Sequence, residues 1–166
     1  MVNLVTKYHR NIQKAVLEFG KKQTLVRKSL EGNSKPLPIV EPESKYVVNY
    51  QPDVYFILKN RKKVIFEILE SEIHKQDIII ADVIRSCLVE NVSLIVFIHP
   101  STKEKDSERA LEALYTVTKG IATKGIPAEE LPKKGYVYLV TKNEALNQKQ
   151  LFCKIQQLCK KDKWFK

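Results

Sequence analysis

Two acidic residues flank a predicted β-hairpin at a spacing that would let them share a metal ion. Asp53 follows Pro52 at the start of an apolar run, and Glu67 lies fourteen positions further on, near the end of the next run. That interval accommodates one strand, a basic turn and most of a second strand. Carboxylate oxygens are ligands of Mg²⁺, which phosphodiester hydrolysis usually recruits. The pattern therefore favours a Mg²⁺ or Mn²⁺ site made from Asp53, Glu67 and the Leu69 carbonyl.

Residues just after Glu67 could complete such a site. Glu70 and Glu72 follow within five positions, and Lys75 stands at the start of the next predicted helix. An additional carboxylate could assist the metal, and a lysine could stabilise charge or position the attacking water. The competing interpretation is structural, because Glu70 and Glu72 are also favoured in the first turn of a helix. Glu67 could likewise be neutralised by Arg85.

The length of the hairpin loop decides which of these acids share a face of the sheet. Side chains alternate between faces along a strand, so a shift of one residue changes the partners of Asp53. An even loop places Asp53 on the side of Ile68 and Glu70, whereas an odd loop or a bulge aligns it with Glu67 and Leu69. The turn sequence KNRKK leaves both alternatives open.

The composition indicates one globular domain with a polyanionic partner. The chain of 166 residues is 43% hydrophobic, which fits a single domain over residues 1–166. Its 29 Lys and Arg against 19 Asp and Glu give a formal net charge of +10, which favours nucleic acid. Three cysteines without CxxC spacing predict neither a disulfide framework nor a zinc site, and favour the reducing cytoplasm. No apolar run is long enough to predict a membrane span.

Basic residues are concentrated in the first predicted helix, at the hairpin tip and in the C-terminal tail. Groups of this kind could contact phosphates across a duplex. A solvated surface is the alternative interpretation of each group taken alone. The candidate nucleic-acid contacts are Lys14, Lys21, Lys22, Lys59, Arg61, Lys62 and Lys63.

Apolar periodicity predicts helices that alternate with buried strands. A first helix begins at a Thr6 cap and ends near Gly20, the segment 32–44 is an irregular proline-rich connection, and a last helix begins at an Asn143 cap. Further helices are predicted over about 73–90 and 103–119. Strands are predicted at Tyr46–Tyr50, Val54–Leu58, Val64–Leu69, Val92–Ile98 and Tyr136–Thr141. An antiparallel meander followed by a helical crossover then gives an α/β fold with a mixed central sheet flanked by helices.

Pro52-Asp53 and Glu67, together with the αβββαβ order around them, resemble the PD-(D/E)XK nuclease superfamily. This is the fold of many type II restriction endonucleases and Holliday-junction resolvases, and the resemblance covers about residues 6–98. It implies a restriction-endonuclease-like αβββαβ core, here with a C-terminal αβα extension. It also implies a metal-dependent endonuclease acting on DNA, in which Asp53 and Glu67 bind Mg²⁺ or Mn²⁺.

Leu69 stands where the motif of this superfamily has its lysine. Three accounts of the departure are open. Lys75 or a hairpin lysine takes over the role, or Glu70 and Glu72 form the working pair, as in restriction enzymes whose third residue is acidic. In the third account catalysis is lost, and the chain is a nucleic-acid-binding or assembly module.

The functional hypotheses differ in what they require of the molecule. An endonuclease that cuts both strands would need a symmetric homodimer, because each subunit offers one site. A catalytically inactive module would bind nucleic acid in a salt-dependent way without turnover. A protein–protein scaffold, the hypothesis from a different class, would not be retained on nucleic acid at low salt.

Overall fold

The computed structural model describes residues 4–39, 48–69, 81–82, 84–86, 88–99 and 134–161. Residues 81–82 and 84–86 are helical. The helices are α1 (Leu4–Lys21), α2 (Lys142–Leu146) and α3 (Gln148–Lys161). The strands are β1 (Val26–Leu30), β2 (Leu37–Ile39), β3 (Val48–Tyr50), β4 (Val54–Leu58), β5 (Lys63–Ile68), β6 (Val92–His99) and β7 (Lys134–Leu139).

The main sheet has the strand order β1-β4-β5-β6-β7, and β2 pairs with β3 in a separate two-stranded sheet. The β1–β4 and β4–β5 pairs are antiparallel, whereas β5–β6 and β6–β7 are parallel. The predicted α/β class with a mixed sheet is therefore confirmed. Parallel neighbours require crossover connections, and the helical residues 81–82 and 84–86 lie in the connection between β5 and β6.

The first strand of the antiparallel meander is not the strand that was predicted. Tyr46–Tyr50 was expected to be its first strand, but β1 occupies that position and β3 pairs with β2, inside the segment expected to be irregular. Both segments contain β-forming residues, and local propensity does not select a partner. The Gly32 N–H donates to the Pro52 carbonyl at 3.0 Å, which fixes the chain between the small sheet and β4.

The β4–β5 hairpin closes with an odd loop. Leu58 N–H donates to the Lys62 carbonyl at 2.9 Å, so three residues lie between the paired positions. Arg61 adopts a left-handed backbone with φ of 68°, as is common in three-residue hairpin loops. The register Val54↔Phe66 follows from this closure. The loop therefore has the parity that aligns Asp53 with Glu67 and Leu69.

Apolar side chains cover both faces of the sheet. One face packs against α1 and α3, and the other carries fully buried residues such as Tyr55, Ile65 and Phe97. The predicted apolar face of α1 is confirmed, since Ile12 and Val16 are fully buried. The core cluster on the helical side includes Ile12, Val16, Phe19, Val54, Phe56, Val64, Phe66, Ile68, Leu151 and Ile155.

Two predicted helix caps are wrong. The first helix already includes Leu4, so Thr6 lies inside it rather than at its start. The last helical region begins at Lys142 and is capped by Thr141, two residues before Asn143, because Thr141 and Glu144 form a capping box, the favoured Thr-x-x-Glu arrangement. Within the described residues, no helix combines the length and the apolar character that crossing a bilayer requires.

Candidate active site

Asp53 and Glu67 lie opposite each other at one edge of the sheet. Asp53 immediately precedes β4, and the register Val54↔Phe66 places it one position further along, against Glu67 of β5. Residues directly opposite in an antiparallel pair project to the same side of the sheet. This edge is also the carboxyl end of β5, and ligand sites in open α/β sheets form at the carboxyl ends of the strands.

The Asp53 carboxylate is held by groups from both α1 and β5. His9 Nε2 lies 2.9 Å from Asp53 Oδ1, and the two side chains are 19% and 22% exposed. The Ile68 N–H donates to Asp53 Oδ2 at 2.7 Å, and Gln13 Nε2 donates to the Asp53 carbonyl at 3.1 Å. These contacts fix the orientation of a carboxylate that remains partly open to solvent.

Glu67 is buried and accepts a hydrogen bond from a tyrosine. Tyr50 Oη donates to Glu67 Oε1, and the Asp53 N–H donates to the same carboxylate. Ser86 Oγ lies 3.2 Å from Tyr50 Oη. Burial, followed by the charges of Asp82 and Asp53, raises the pKa of Glu67 well above its usual value, although the Tyr50 hydrogen bond acts in the opposite direction. Burial and the nearby Glu67 charge also raise the pKa of Tyr50.

A third carboxylate, Asp82, lies close enough to interact with this pair. The pKa of Asp82 is raised to about 6: burial raises it most, the charge of Arg85 lowers it and that of Asp53 raises it. Arg85 Nη1 is 3.3 Å from Asp82 Oδ1, so the arginine pairs with Asp82. The structural interpretation of the sequence, in which Arg85 neutralises Glu67, is therefore wrong. Clustered carboxylates with raised pKa values are typical of functional sites, although structural networks also produce them.

Sequence reasoning missed three residues of this cluster, namely His9, Tyr50 and Asp82. Each comes from a different segment and is brought in by tertiary packing. The available signal was weak: Asp82 interrupts the apolar run IIIADVI, and His9 lies three residues before the buried Ile12 on the same helix. A polar residue at the border of an apolar stripe is more often a surface residue than a site residue.

Of the other predicted site residues, the structure describes Leu69 alone. Leu69 is 8% exposed, and its N–H donates to the Ile98 carbonyl at 2.9 Å. Glu70, Glu72 and Lys75 lie outside the described residues. At the position where the nuclease motif has its lysine, this chain therefore has a buried leucine, and the backbone N–H of that leucine is hydrogen-bonded to β6.

The structure separates the predicted nucleic-acid contacts from the carboxylate pair. The exposed residues Lys59, Arg61 and Lys62 lie at the hairpin tip, and Lys62, the nearest of them in sequence, is about 17 Å from Glu67 along β5. Lys63 is half-buried, its Nζ donates to the Glu90 carbonyl at 2.6 Å, and burial lowers its pKa. Of the remaining predicted contacts, Lys14 and Lys21 lie on α1, and Lys22 lies in the turn that follows it.

The donor chemistry of Asp53 and Glu67 fits a hard divalent cation. Mg²⁺ commonly binds to proteins through one or two carboxylates and retains several water molecules. His9 and Tyr50 hydrogen-bond to one oxygen of each carboxylate, as outer partners of metal ligands do. In the part of the chain that the structure describes, no group of three or more His, Cys, Asp or Glu residues could hold a metal. Two carboxylates are thus the donor set that these residues offer.

Replacing Tyr50 with phenylalanine is expected to destabilise the protein by about 1–3 kcal/mol, because the buried Glu67 carboxyl loses a hydrogen-bond donor while the ring packing is retained. The measurement is urea unfolding monitored by circular dichroism. Tyr55→Phe is the matched control, since the Tyr55 hydroxyl donates to the neutral Lys35 carbonyl at 2.9 Å. That variant should lose about 1 kcal/mol or less. Equal stability of Tyr50→Phe and the wild type would contradict the assigned hydrogen bond.

Comparisons with known proteins provide no relative for this site. No protein-family model, no curated protein and no solved structure matches the chain.

Proposed function

We propose that this protein is a metal-dependent endonuclease that hydrolyses DNA, of the restriction or junction-resolving type. The observation that carries the proposal is the placement of Asp53 and Glu67 opposite each other at the carboxyl end of β5. The element order supports it as well: α1, the antiparallel strands β1, β4 and β5, a helical connection and the parallel strand β6 follow the αβββαβ pattern of PD-(D/E)XK nucleases.

In this proposal Asp53 and Glu67 hold Mg²⁺ or Mn²⁺. When bound, the cation would act as a Lewis acid on the phosphate and favour formation of hydroxide from water. His9 and the Ile68 N–H orient the Asp53 carboxylate, and Tyr50 orients Glu67. Groups that orient metal ligands in this way typically affect metal affinity or activity by 10–100-fold.

The remaining roles are proposed from the sequence alone. Glu70 or Glu72 would assist the metal, and Lys75 would replace the lysine that the motif has at Leu69. A homodimer would supply one site for each strand of the duplex. Cys153 is an exposed free thiol, which favours a reducing compartment such as the cytoplasm.

A second candidate function is a nuclease-like module that binds nucleic acid without cleaving it. Leu69 favours this alternative, because a buried leucine can neither donate a hydrogen bond nor carry charge at the lysine position. The Tyr50 hydrogen bond to Glu67 is also compatible with a carboxyl group that serves only the core. This module would show salt-dependent binding without turnover under any divalent metal.

Nicking of supercoiled plasmid DNA in Mg²⁺ or Mn²⁺ distinguishes the two candidates. The wild type is expected to nick the plasmid, and Asp53→Ala or the closer isostere Asp53→Asn is expected to abolish nicking because a metal ligand is lost. Glu18→Gln, which removes an exposed carboxylate on α1 and leaves the carboxylate pair intact, is the control and should nick at no less than the wild-type rate. Far-UV circular dichroism establishes that each variant is folded.

Full activity of the Asp53 variants would exclude this site. Binding of DNA by the wild type without nicking in either metal would instead favour the non-cleaving module.

A further inference from the structure

The solvent-exposed face of α1 carries a row of cations. Lys7, Arg10, Lys14 and Lys21 are all exposed, and their spacing of three, four and seven residues places them on one side of the helix. Glu18 is the acidic residue within this row. In the described part of the chain, none of the four cations forms an ion pair. Their charge is therefore available to a partner.

This row continues into the hairpin tip. The chain turns directly after α1, and the Lys59 N–H donates to the Leu25 carbonyl at 2.9 Å, which attaches the hairpin to the segment that follows the helix. We define the basic band as the row on α1 together with the exposed tip. The band consists of Lys7, Arg10, Lys14, Lys21, Lys59, Arg61 and Lys62.

Two neighbouring lysines are excluded from the band by their own contacts. Lys22 Nζ lies 4.5 Å from the centroid of the Phe152 ring, a cation–π geometry. Lys63 Nζ donates to the Glu90 carbonyl. The structure thus assigns both of these cations to intramolecular contacts, although the sequence suggested them as nucleic-acid contacts.

The N-terminal end of the basic band lies at the level of the carboxylate pair along α1, but on another side of the helix. Lys7 and Arg10 lie within two residues of His9, whose ring contacts Asp53, and they project about 160° and 100° away from it around the helix axis. From Lys7 to Lys21 the helix rises about 21 Å, and the turn with the hairpin tip extends the band to about 30 Å. At about 3.4 Å per base pair, this length matches roughly nine base pairs of duplex.

The side chains near the band indicate which form of nucleic acid it suits. Proteins that bind single strands combine positive charge with aromatic platforms on which the bases stack. Among the described residues, the exposed large hydrophobic side chains are Leu25, Ile84, Leu88 and Leu146, and none is aromatic. A row of charges with no exposed aromatic side chain in the described ranges suits the phosphates of a rigid duplex better than splayed bases.

We propose that the basic band binds the phosphate backbone of a double-stranded nucleic acid over about nine base pairs, independently of base sequence. Placement of the cut near the N-terminal end of the band rests on the proposed nuclease function, whereas binding by the band does not. Affinity should rise with duplex length up to about nine base pairs and then level off. In longer duplexes it should increase further only because they offer more binding positions.

Fluorescence anisotropy of a labelled duplex tests the band. The Asp53→Asn background removes turnover, so that binding is measured alone. Lys14→Glu/Lys21→Glu and, at the other end, Lys59→Glu/Lys62→Glu should each weaken binding of a 12-base-pair duplex at least about tenfold and lower the salt slope by about two. Lys149→Glu/Lys160→Glu changes the charge equally on the exposed face of α3 and should have a much smaller effect.

Each alternative partner provides an outcome that would overturn the proposal. Equal losses in the α3 control would show that net charge, not the band, determines binding. Tighter binding of a 12-nucleotide single strand than of the duplex would exclude the duplex assignment, and preferential binding to vesicles of anionic phospholipid would assign the band to a membrane. The binding assay requires no cleavage. If the protein proves not to be a nuclease, the assay therefore still decides whether the band binds a duplex.

Discussion

Glu67→Gln is expected to abolish plasmid nicking while it raises the free energy of unfolding of the metal-free protein. The substitution removes a proposed metal ligand, so nicking should fall by at least about a hundredfold, the upper range for groups that only support a ligand. It also removes a buried acid that is close to Asp53 and Asp82, whose negative charges oppose its ionisation. A neutral amide avoids this repulsion, and the expected gain is about 1 kcal/mol.

The stability gain should depend on pH in one direction. The folded protein holds the Glu67 proton more tightly than the unfolded chain, because burial and the charges of Asp82 and Asp53 raise the pKa. Ionisation of Glu67 therefore opposes folding once the pH exceeds about 4.3, the unfolded value, and the opposition grows up to the raised folded value. The difference between Glu67→Gln and the wild type should be small near pH 4 and larger at pH 7.

Urea unfolding in EDTA at both pH values measures this difference, and the plasmid assay measures activity. Glu18→Gln is again the control, since loss of an exposed carboxylate away from the pair should lower neither quantity appreciably. A Glu67→Gln protein that is inactive and less stable at pH 7 would indicate a structural role for Glu67. Retained nicking would exclude it as a ligand.

Gly32→Ala is expected to destabilise the protein by about 3 kcal/mol or more, because no space exists for a methyl group there. A Cβ on Gly32 would overlap the Pro52 carbonyl oxygen and lie 2.6 Å from the Pro52 nitrogen. These are backbone atoms and cannot rotate away as a flexible side chain would. The displacement would be transmitted directly to Asp53, the next residue, so activity should decrease together with stability.

Thermal unfolding of Gly32→Ala beside Asn33→Ala provides the comparison. Asn33 is the exposed neighbour, and its replacement should change the free energy of unfolding by less than about 0.5 kcal/mol. A Gly32→Ala protein with wild-type stability would show that the close approach of this segment to Pro52 is not required for folding.

The sequence was most informative where long apolar runs coincide with strands. Val54–Leu58 was predicted with the bounds that the structure has, and the strands at 63–68 and 92–99 were predicted to within one residue. Residues 54–56, 64–68 and 94–98 of these strands are buried on both faces of the sheet, so their apolar composition identifies them. Pairing was harder, because both β1 and β3 contain β-forming residues and only the contacts around Gly32 and Pro52 separate them.

The candidate site was predicted at the level of the two acids but not of their environment. The alignment of Asp53 with Glu67 depends on the three-residue loop and the left-handed Arg61, which the sequence KNRKK does not specify. Tyr50 and His9 reach the acids from β3 and α1, more than a dozen positions away along the chain. Such contacts arise from tertiary packing, which periodicity does not describe.

Binding of Mn²⁺ to the purified protein, followed by electron paramagnetic resonance of the free ion, tests most directly whether Asp53 and Glu67 form a metal site. The wild type is expected to bind one Mn²⁺ per chain with measurable affinity, and Asp53→Asn and Glu67→Gln should each weaken that binding by at least about a hundredfold. Mn²⁺ binding that is unchanged in both variants, or absent from the wild type, would contradict the account.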